Sequence, residues 1–183
     1  AALYELGYRN ISHLKDDVFR SKGPIASQAK GAERMYNLLK LTLPYFDDMQ
    51  IDYTLEQRLD LAGKISDLSK SLGLKMEVCG GTRRRKALGH DLDLLFTREN
   101  DAARSAEHFD VVSVGENILA KMRRRFFSVD VLKNNASHFA DENALPETRE
   151  EKHSVHLTVV QESADSPFRR VDIVVVSMMD NHG

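Results

Sequence analysis

The spacing of apolar residues changes near residue 74 of the chain. Before that point apolar side chains recur at three- and four-residue steps, over residues 25–43 and 54–72, which is the period of an α-helix. From Leu74 to Val78 apolar and polar residues alternate, which indicates a strand. Short apolar runs typical of strands follow at residues 92–97, 155–160 and 170–176. We therefore predict an α+β fold, with a helical N-terminal part followed by a mixed β-sheet and flanking helices.

Local signals set the expected ends of several elements. Pro44 should stop the helix that begins near residue 25. Thr54 with Gln57 three residues later is a potential capping box for the helix over 54–72, and Gly73 suits its C-terminal end. A further helix is predicted over 113–127. The polar stretch 134–149 contains a proline and is predicted to be a loop.

Two acidic residues, Asp91 and Asp93, flank the start of the apolar run 92–97. Because side chains alternate along a strand, both carboxylates are expected on one face. Carboxylates this close repel each other unless a cation lies between them, and Mg²⁺ binds such oxygen ligands together with substrate phosphates. Asp172 lies in another apolar strand. If the two strands are neighbours, the three carboxylates can hold two metal ions about 4 Å apart, as in phosphoryl transfer.

Glycines and basic residues separate the strand 74–78 from Asp91. Gly80 and Gly81 let backbone N–H groups approach phosphate oxygens, and a following helix N-terminus favours an anion. Gly89 is expected to let the chain turn sharply into the acidic strand. The basic run between these glycines offers donors suited to a triphosphate and comprises Arg83, Arg84, Arg85 and Lys86.

The charge of the whole chain limits how it can meet a polyanion. Its net charge is −2 with His neutral, so nucleic acid would have to meet a local basic patch rather than a global positive field. A second basic run, 123–125, has no glycine-rich or acidic neighbours, and we interpret it as solvated surface. The single cysteine, Cys79, excludes an internal disulfide. No apolar run approaches the roughly 20 residues that span a bilayer, so we expect no membrane partner.

The ordered set of motifs resembles the catalytic palm of the family X DNA polymerases, which include DNA polymerase beta, polymerase mu and terminal deoxynucleotidyltransferase. The family pattern is approximately Gly-Gly/Ser-x-Arg-Arg-Gly-Lys, then Gly-His/Asp-Asp-x-Asp, and Arg-x-Asp in a distant strand. The matching residues here are Gly80-Gly81-Thr82-Arg83-Arg84, Lys86, Gly89-His90-Asp91-Leu92-Asp93 and Arg170-Val171-Asp172. The Gly-His pair is more similar to the mu and terminal-transferase branch. Residues 6–15 and 28–36 resemble the stretch after the family's helix-hairpin-helix and its fingers helix.

This resemblance implies an organisation and a reaction. Residues 1–73 would form a helical DNA-binding and fingers region, and residues 74–183 a nucleotidyltransferase palm without the family's C-terminal subdomain. The implied activity is that of a DNA-directed DNA polymerase, which transfers a deoxynucleoside monophosphate from a deoxynucleoside triphosphate to the 3′-hydroxyl of a DNA primer or DNA end. DNA repair and a nuclear location are implied as well.

The resemblance also implies roles for individual residues. The catalytic and metal-binding set would be Asp91, Asp93 and Asp172, which hold two Mg²⁺ ions, with Mn²⁺ as an alternative. Arg170 would orient Asp172 or contact primer DNA. The nucleotide-binding set would be Gly80, Gly81, Arg84, Lys86, Gly89 and His90.

Departures from the family pattern leave two other interpretations open. Arg85 stands where the family usually has Gly, and the nucleotide-selecting subdomain would follow Val176. We therefore expect the chain alone to bind metal and triphosphate but to polymerise poorly or not at all. The alternatives are a catalytically incomplete DNA-binding fragment, and a nucleotidyltransferase whose acceptor is RNA, a protein or a small molecule.

Overall fold

The chain divides into two compact units, Ala1–Asp47 and Asp48–Gly183. The computed structural model describes residues 2–5, 7–20, 33–98, 109–135 and 153–177. The predicted domain boundary lay between residues 73 and 74, whereas the compact units divide before the helix of residues 55–70. That helix packs its apolar residues against the sheet of the second unit, which is why it belongs there. The assignment of residues 1–73 to a fingers region stays a prediction.

The first unit is helical and has a small core of its own. Its helices are α1 (Ala2–Glu5), α2 (Ile11–Arg20) and α3 (Glu33–Thr42), followed by a 3-10 turn at Leu43–Tyr45. The core consists of Tyr8, Leu14, Val18 and Leu43. The Tyr8 hydroxyl donates a hydrogen bond to the Asp17 carboxylate. Helix α3 confirms the C-terminal part of the predicted helix 25–43, which ends before Pro44, while residues 25–32 lie outside the described residues.

Two longer helices belong to the second unit, and the short helix α4 (Phe46–Met49) spans the boundary between the units. Helix α5 (Leu55–Lys70) begins with the predicted capping box: the Thr54 hydroxyl accepts from the Gln57 amide, and the Gln57 side chain accepts from the Thr54 amide. A one-turn helix, α6 (Gly80–Arg83), and α7 (Val111–Arg125) follow. Within the described residues, no helix has the length and apolar character required to cross a bilayer.

A mixed sheet of five strands forms the centre of the second unit. In spatial order the strands are β2 (Leu74–Val78), β4 (Asp91–Arg98), β7 (Arg169–Val176), β6 (His153–Gln161) and β5 (Ser128–Asn135). Strands β4 and β7 are parallel, and the other neighbours are antiparallel. A separate ladder pairs β1 (Tyr53–Thr54) with β3 (Leu88–Gly89). This confirms the predicted α+β class and mixed sheet.

Strand β5 was not predicted, and it takes up the first two residues of the predicted loop 134–149. The remainder of that loop lies outside the described residues.

Alternation along β4 and β7 separates an apolar face from an acidic face. The apolar face packs with α5 and α7 in one hydrophobic cluster. Its buried residues in these two strands are Leu92, Leu94 and Phe96, and Val171, Ile173 and Val175. Since side chains of a strand alternate, Asp91, Asp93 and Asp172 lie on the opposite face. The core therefore fixes the strands that carry the acidic residues.

Candidate active site

The three predicted carboxylates lie on two adjacent strands. In the parallel register of β4 and β7, Asp93 is paired with Asp172 and Asp91 with Arg170. All three aspartates are partly buried. The strand adjacency on which the sequence argument depended is therefore present, and the carboxylates share one face of the sheet.

Electrostatic coupling marks Asp93 as the centre of this acidic group. Burial raises the pKa of Asp93, and the charges of Asp91 and Asp172 raise it further, while Arg170 and Arg84 act in the opposite direction. A carboxyl whose ionised form is opposed by two like charges is stabilised by a cation placed among them. The arrangement is therefore suited to a positively charged ligand.

Arg170 supplies part of the positive charge that stabilises the acidic group. Its Nε donates to Asp172 Oδ1 at 3.0 Å and its Nη2 donates to Asp172 Oδ2 at 2.5 Å. This bidentate pair raises the pKa of Arg170 and fixes the Asp172 carboxylate in one orientation. The resemblance implied that Arg170 would orient Asp172 or contact primer DNA. The hydrogen bonds are compatible with the first role, and the DNA contact stays a prediction.

The fit of the site to Mg²⁺ rests on its donor chemistry. Carboxylate oxygens are the ligands that Mg²⁺ prefers, and Asp91, Asp93 and Asp172 converge on one face. Among the described residues, however, no three acidic, His or Cys side chains are arranged to hold one ion together. Because both oxygens of Asp172 accept from Arg170, that carboxylate must turn or share its oxygens before it can act as a third ligand.

Gly80 brings the predicted phosphate loop against the carboxylates. Its φ is +54°, and a Cβ built on it would overlap the carboxylate of Asp93. The Cys79 amide donates to the Asp93 carbonyl at 2.8 Å, immediately before α6. Glycine is therefore required at this position both by the left-handed backbone and by the close approach to Asp93.

The basic run forms a tight, exposed turn after α6. The Arg85 amide donates to the Thr82 carbonyl, and the Lys86 amide donates to the Gly81 carbonyl, each at 3.0 Å. Arg85 has a φ of +55°, a conformation that favours glycine. This turn explains why the family pattern, which the sequence resembles, has glycine at that position.

His90 and the basic side chains are exposed around this turn. The exposed set comprises Arg83, Arg84, Arg85, Lys86 and His90. His90 Nε2 lies 3.4 Å from Asp52 Oδ1. Arg84 lies close enough to Asp93 to lower the pKa of that carboxyl. The structure thus brings one predicted nucleotide-binding cation into electrostatic contact with the acidic group.

A known family matches this arrangement. The model of the DNA polymerase beta palm matches residues 56–178, about two thirds of the 183-residue chain. The chain belongs to the DNA polymerase beta palm family. Its mixed sheet with flanking helices is a nucleotidyltransferase-type palm. No significant match was found among curated proteins.

Arg58 is a residue of the palm that was not among the predicted site residues. Its exposed fraction is 0 %. Its guanidinium donates to Thr82 Oγ1 at 3.1 Å, to the Thr54 carbonyl at 3.4 Å, and to the Lys86 carbonyl. Arg58 thereby ties helix α5 to both ends of the basic turn. A signal was available, because Arg58 precedes buried Ala62 and Ile65 at the helical spacing of four and seven residues.

The neighbourhood of Arg58 changes the interpretation of Gly89. Gly89 lies in β3 without a positive φ, so the expected sharp turn does not explain the glycine. A Cβ there would lie 2.9 Å from Arg58 Nη1, which is closer than real Cβ atoms approach a neighbour. Gly89 is therefore required by packing against the buried guanidinium.

Tyr53 links the β1–β3 ladder to the acidic strands of the palm. Its hydroxyl donates to the Arg170 carbonyl at 3.2 Å, and the Arg169 guanidinium lies 4.8 Å from its ring centroid. Burial raises the pKa of Tyr53, and the charge of Asp91 adds to that effect. The hydroxyl therefore stays protonated and serves as a donor that supports the start of β7.

Proposed function

We propose that this palm catalyses transfer of a deoxynucleoside monophosphate from a deoxynucleoside triphosphate to the 3′-hydroxyl of DNA, as a family X DNA polymerase. The observation that carries the proposal is the parallel register of β4 and β7. It places Asp91, Asp93 and Asp172 on one face, with the glycine and arginine loop packed against Asp93 through Gly80. Nucleotidyl transfer requires this combination of carboxylates and phosphate donors.

The three aspartates would hold the divalent ions, Mg²⁺ by preference. When bound, these ions supply the charge that lowers the pKa of the attacking 3′-hydroxyl and neutralises the triphosphate. The raised pKa of Asp93 supports the proposal, because the acidic group is stabilised by added positive charge. Arg170 keeps the Asp172 carboxylate oriented through two hydrogen bonds.

The exposed loop would bind the triphosphate. Gly80 and Gly81 contribute backbone at the start of α6, and Arg84 and Lys86 contribute exposed cations. Since Arg84 is electrostatically coupled to Asp93, a triphosphate bound by Arg84 would lie beside the acidic group. Catalysis would consist mainly of positioning and charge neutralisation.

DNA repair, by filling gaps or extending ends, is the role we propose for the activity, with the nucleus as its location. Membership in the polymerase beta palm family supports DNA and nucleotides as substrates in general. The specific mu and terminal-transferase branch stays a prediction from the Gly89-His90 pair.

Primer extension tests the proposal directly. Purified protein is incubated with a primed DNA, Mg²⁺ and labelled deoxynucleotides. We expect slow extension, in line with the departures from the family pattern, and we expect Asp93→Ala and Asp172→Ala to abolish it. Asp67→Ala is a matched control, because Asp67 is exposed and pairs only with Lys70 among the described residues. Its extension should equal that of the wild type.

Several results would overturn the proposal. Extension by Asp172→Ala at the wild-type rate would exclude the three-carboxylate site. Extension of an RNA primer but not of a DNA primer would instead support a nucleotidyltransferase with another acceptor. DNA binding without incorporation of any nucleotide would support the catalytically incomplete fragment.

A further inference from the structure

The buried guanidinium of Arg58 is a positive charge with no anionic partner in the described part of the chain. Its hydrogen bonds reach a hydroxyl and two carbonyl oxygens, all neutral, and no carboxylate pairs with Arg58 among the described residues. The ring of Tyr53 lies 5.7 Å from its Cζ and compensates the charge in part. Burying a charge without a counter-ion is costly, so the position calls for a functional explanation.

The loop that carries the candidate phosphate ligands is built around this guanidinium. Thr82 and Lys86 accept its hydrogen bonds on one side of the loop. A Cβ on Gly81 would lie 3.6 Å from Arg58 Nη1, and a Cβ on Gly89 would lie 2.9 Å from the same atom. The guanidinium therefore fills the space that a side chain at either glycine would enter, at both the beginning and the end of the loop.

We infer that Arg58 is a positioning residue for the triphosphate: it holds the loop from Gly81 to Gly89 in its binding shape, and its counter-charge is the bound polyphosphate. This inference rests on the proposed nucleotidyl transfer. An apolar side chain could fill the same space without burying a charge. A cation buried against the loop increases the affinity of the loop for an anion, because the low dielectric of the interior strengthens their attraction.

Nucleotide binding by Arg58 variants tests the inference. Titration with dATP and Mg²⁺ should give a dissociation constant roughly tenfold higher for Arg58→Met than for wild type, since a charge and its hydrogen bonds are lost. Arg58→Lys restores the charge and should recover part of the affinity. Raising the salt concentration should weaken dATP binding less in Arg58→Met than in wild type. Affinity and salt dependence equal to wild type in a folded Arg58→Met protein would overturn the inference.

A second pair of variants keeps the charge and covers the case in which Arg58→Met does not fold. Thr82→Val removes the hydroxyl that accepts from Arg58, whereas Thr82→Ser keeps it. We expect about threefold weaker dATP binding for Thr82→Val and near wild-type binding for Thr82→Ser. Equal dATP affinities for the two folded variants would contradict the positioning role.

Wild-type binding separates the inference from the function on which it rests. If wild type does not bind dATP with Mg²⁺, the proposed nucleotidyl transfer fails, and the inference fails with it. If wild type binds and Arg58→Met binds equally well, the inference alone fails. Thermal unfolding without nucleotide shows which variants are folded before either conclusion is drawn.

Discussion

Asp93 and Asp172 occupy directly paired positions on the parallel strands β4 and β7. Pairing of two carboxylates on one face is unfavourable without a cation, and Arg170 provides one by donating to both oxygens of Asp172. Asp93 has no such side-chain donor among the described residues. Repulsion within the acidic group therefore lowers the stability of the folded palm, and substitution of Asp93 can measure that loss.

Replacing Asp93 by Asn should stabilise the metal-free palm while abolishing extension. The pKa of Asp93 is raised by burial and by its two acidic neighbours, so its ionised form destabilises the folded state at every pH above that raised pKa. Below the ordinary pKa of the carboxyl this cost disappears. At pH 7.5 without divalent ions, we expect the Tm of Asp93→Asn to rise by about 2 °C or more.

Thermal unfolding at pH 7.5 and about pH 3.5 measures this effect, and the Tm difference between Asp93→Asn and wild type should shrink at the lower pH. Asp67→Asn provides the comparison, because Asp67 lies in an exposed pair with Lys70 and should not raise the Tm. A Tm of Asp93→Asn below that of wild type at pH 7.5 would contradict the expected repulsion.

Substitution of Gly80 by Ala should impair catalysis far more than stability. The new methyl group would overlap the Asp93 carboxylate, and a displacement of about 1 Å at a reacting centre can lower the rate about 100-fold. Gly73→Ala is the matched control. Gly73 has a φ of +65° with no heavy atom within 4 Å of the added Cβ, so it carries similar backbone strain away from the site.

The readouts for this pair are primer extension and thermal unfolding. Both variants should lose stability of about 1 kcal/mol from the left-handed backbone, and Gly73→Ala should keep wild-type extension. Equal extension by the two variants would mean that the contact of Gly80 with Asp93 does not matter.

Arg85→Gly should stabilise the palm. Arg85 has a φ of +55°, which costs a non-glycine residue about 1–2 kcal/mol, and the flexibility of glycine in the unfolded chain offsets part of that gain. We expect the free energy of unfolding to rise by about 0.5–1 kcal/mol, measured by urea denaturation. Arg83→Gly is the control. Arg83 lies in the helix α6, so glycine at this position should lower the free energy of unfolding. A decrease for Arg85→Gly would show that its side chain makes compensating contacts.

The acidic site could be predicted only in part from the sequence. Alternation fixes the face of Asp91 and Asp93 within β4 because the side-chain period of a strand is two residues. The capping box of α5 was equally readable, since all of its partners are local. The pairing of Asp93 with Asp172 is not local, and no periodicity decides which strands are neighbours. That adjacency was a condition of the predicted metal site, and the register of β4 and β7 meets it.

Other features were missed for definable physical reasons. Apolar spacing over residues 54–72 includes Leu59, which is exposed, and leaves out Arg58, which is buried. Strand β5 carries polar residues next to a predicted loop, so its sequence gives no clear strand signal. Its pairing with β6, which is distant in sequence, stabilises it as a strand. Gly89 was expected to shape a turn, but its neighbour is a side chain from a helix distant in sequence.

Two helical glycines should respond in opposite directions to alanine. A Cβ on Gly115 of α7 would overlap the ring of His156, and overpacking of a core costs about 1–3 kcal/mol. Gly63 of α5 is exposed, with no heavy atom within 4 Å of an added Cβ, so Gly63→Ala should stabilise by about 0.5–1 kcal/mol. Urea denaturation of both variants measures the difference. Stabilisation by Gly115→Ala would contradict the packing of His156 on α7.

Acid should destabilise the palm through His156. This side chain is 0 % exposed, its Nε2 lies 3.2 Å from Ser154 Oγ, and its Nδ1 has no hydrogen-bond partner in the described structure. Burial lowers the pKa of His156, and the charge of Glu116 opposes that effect. His156 therefore binds a proton more readily in the unfolded chain than in the folded palm. The contribution of neutral His156 to stability is complete above about pH 6.5 and is lost as the pH falls below it, by up to about 1.4 kcal/mol per pH unit.

Urea denaturation between pH 7.5 and pH 5 checks this dependence. His156→Gln should show a shallower loss of unfolding free energy over that range, because the substituted side chain does not titrate. His13→Gln is the control, since His13 is exposed and its substitution should leave the slope unchanged. Equal slopes for His156→Gln and wild type would exclude His156 as a source of acid sensitivity, because the remaining histidines and carboxyls would then account for all of it.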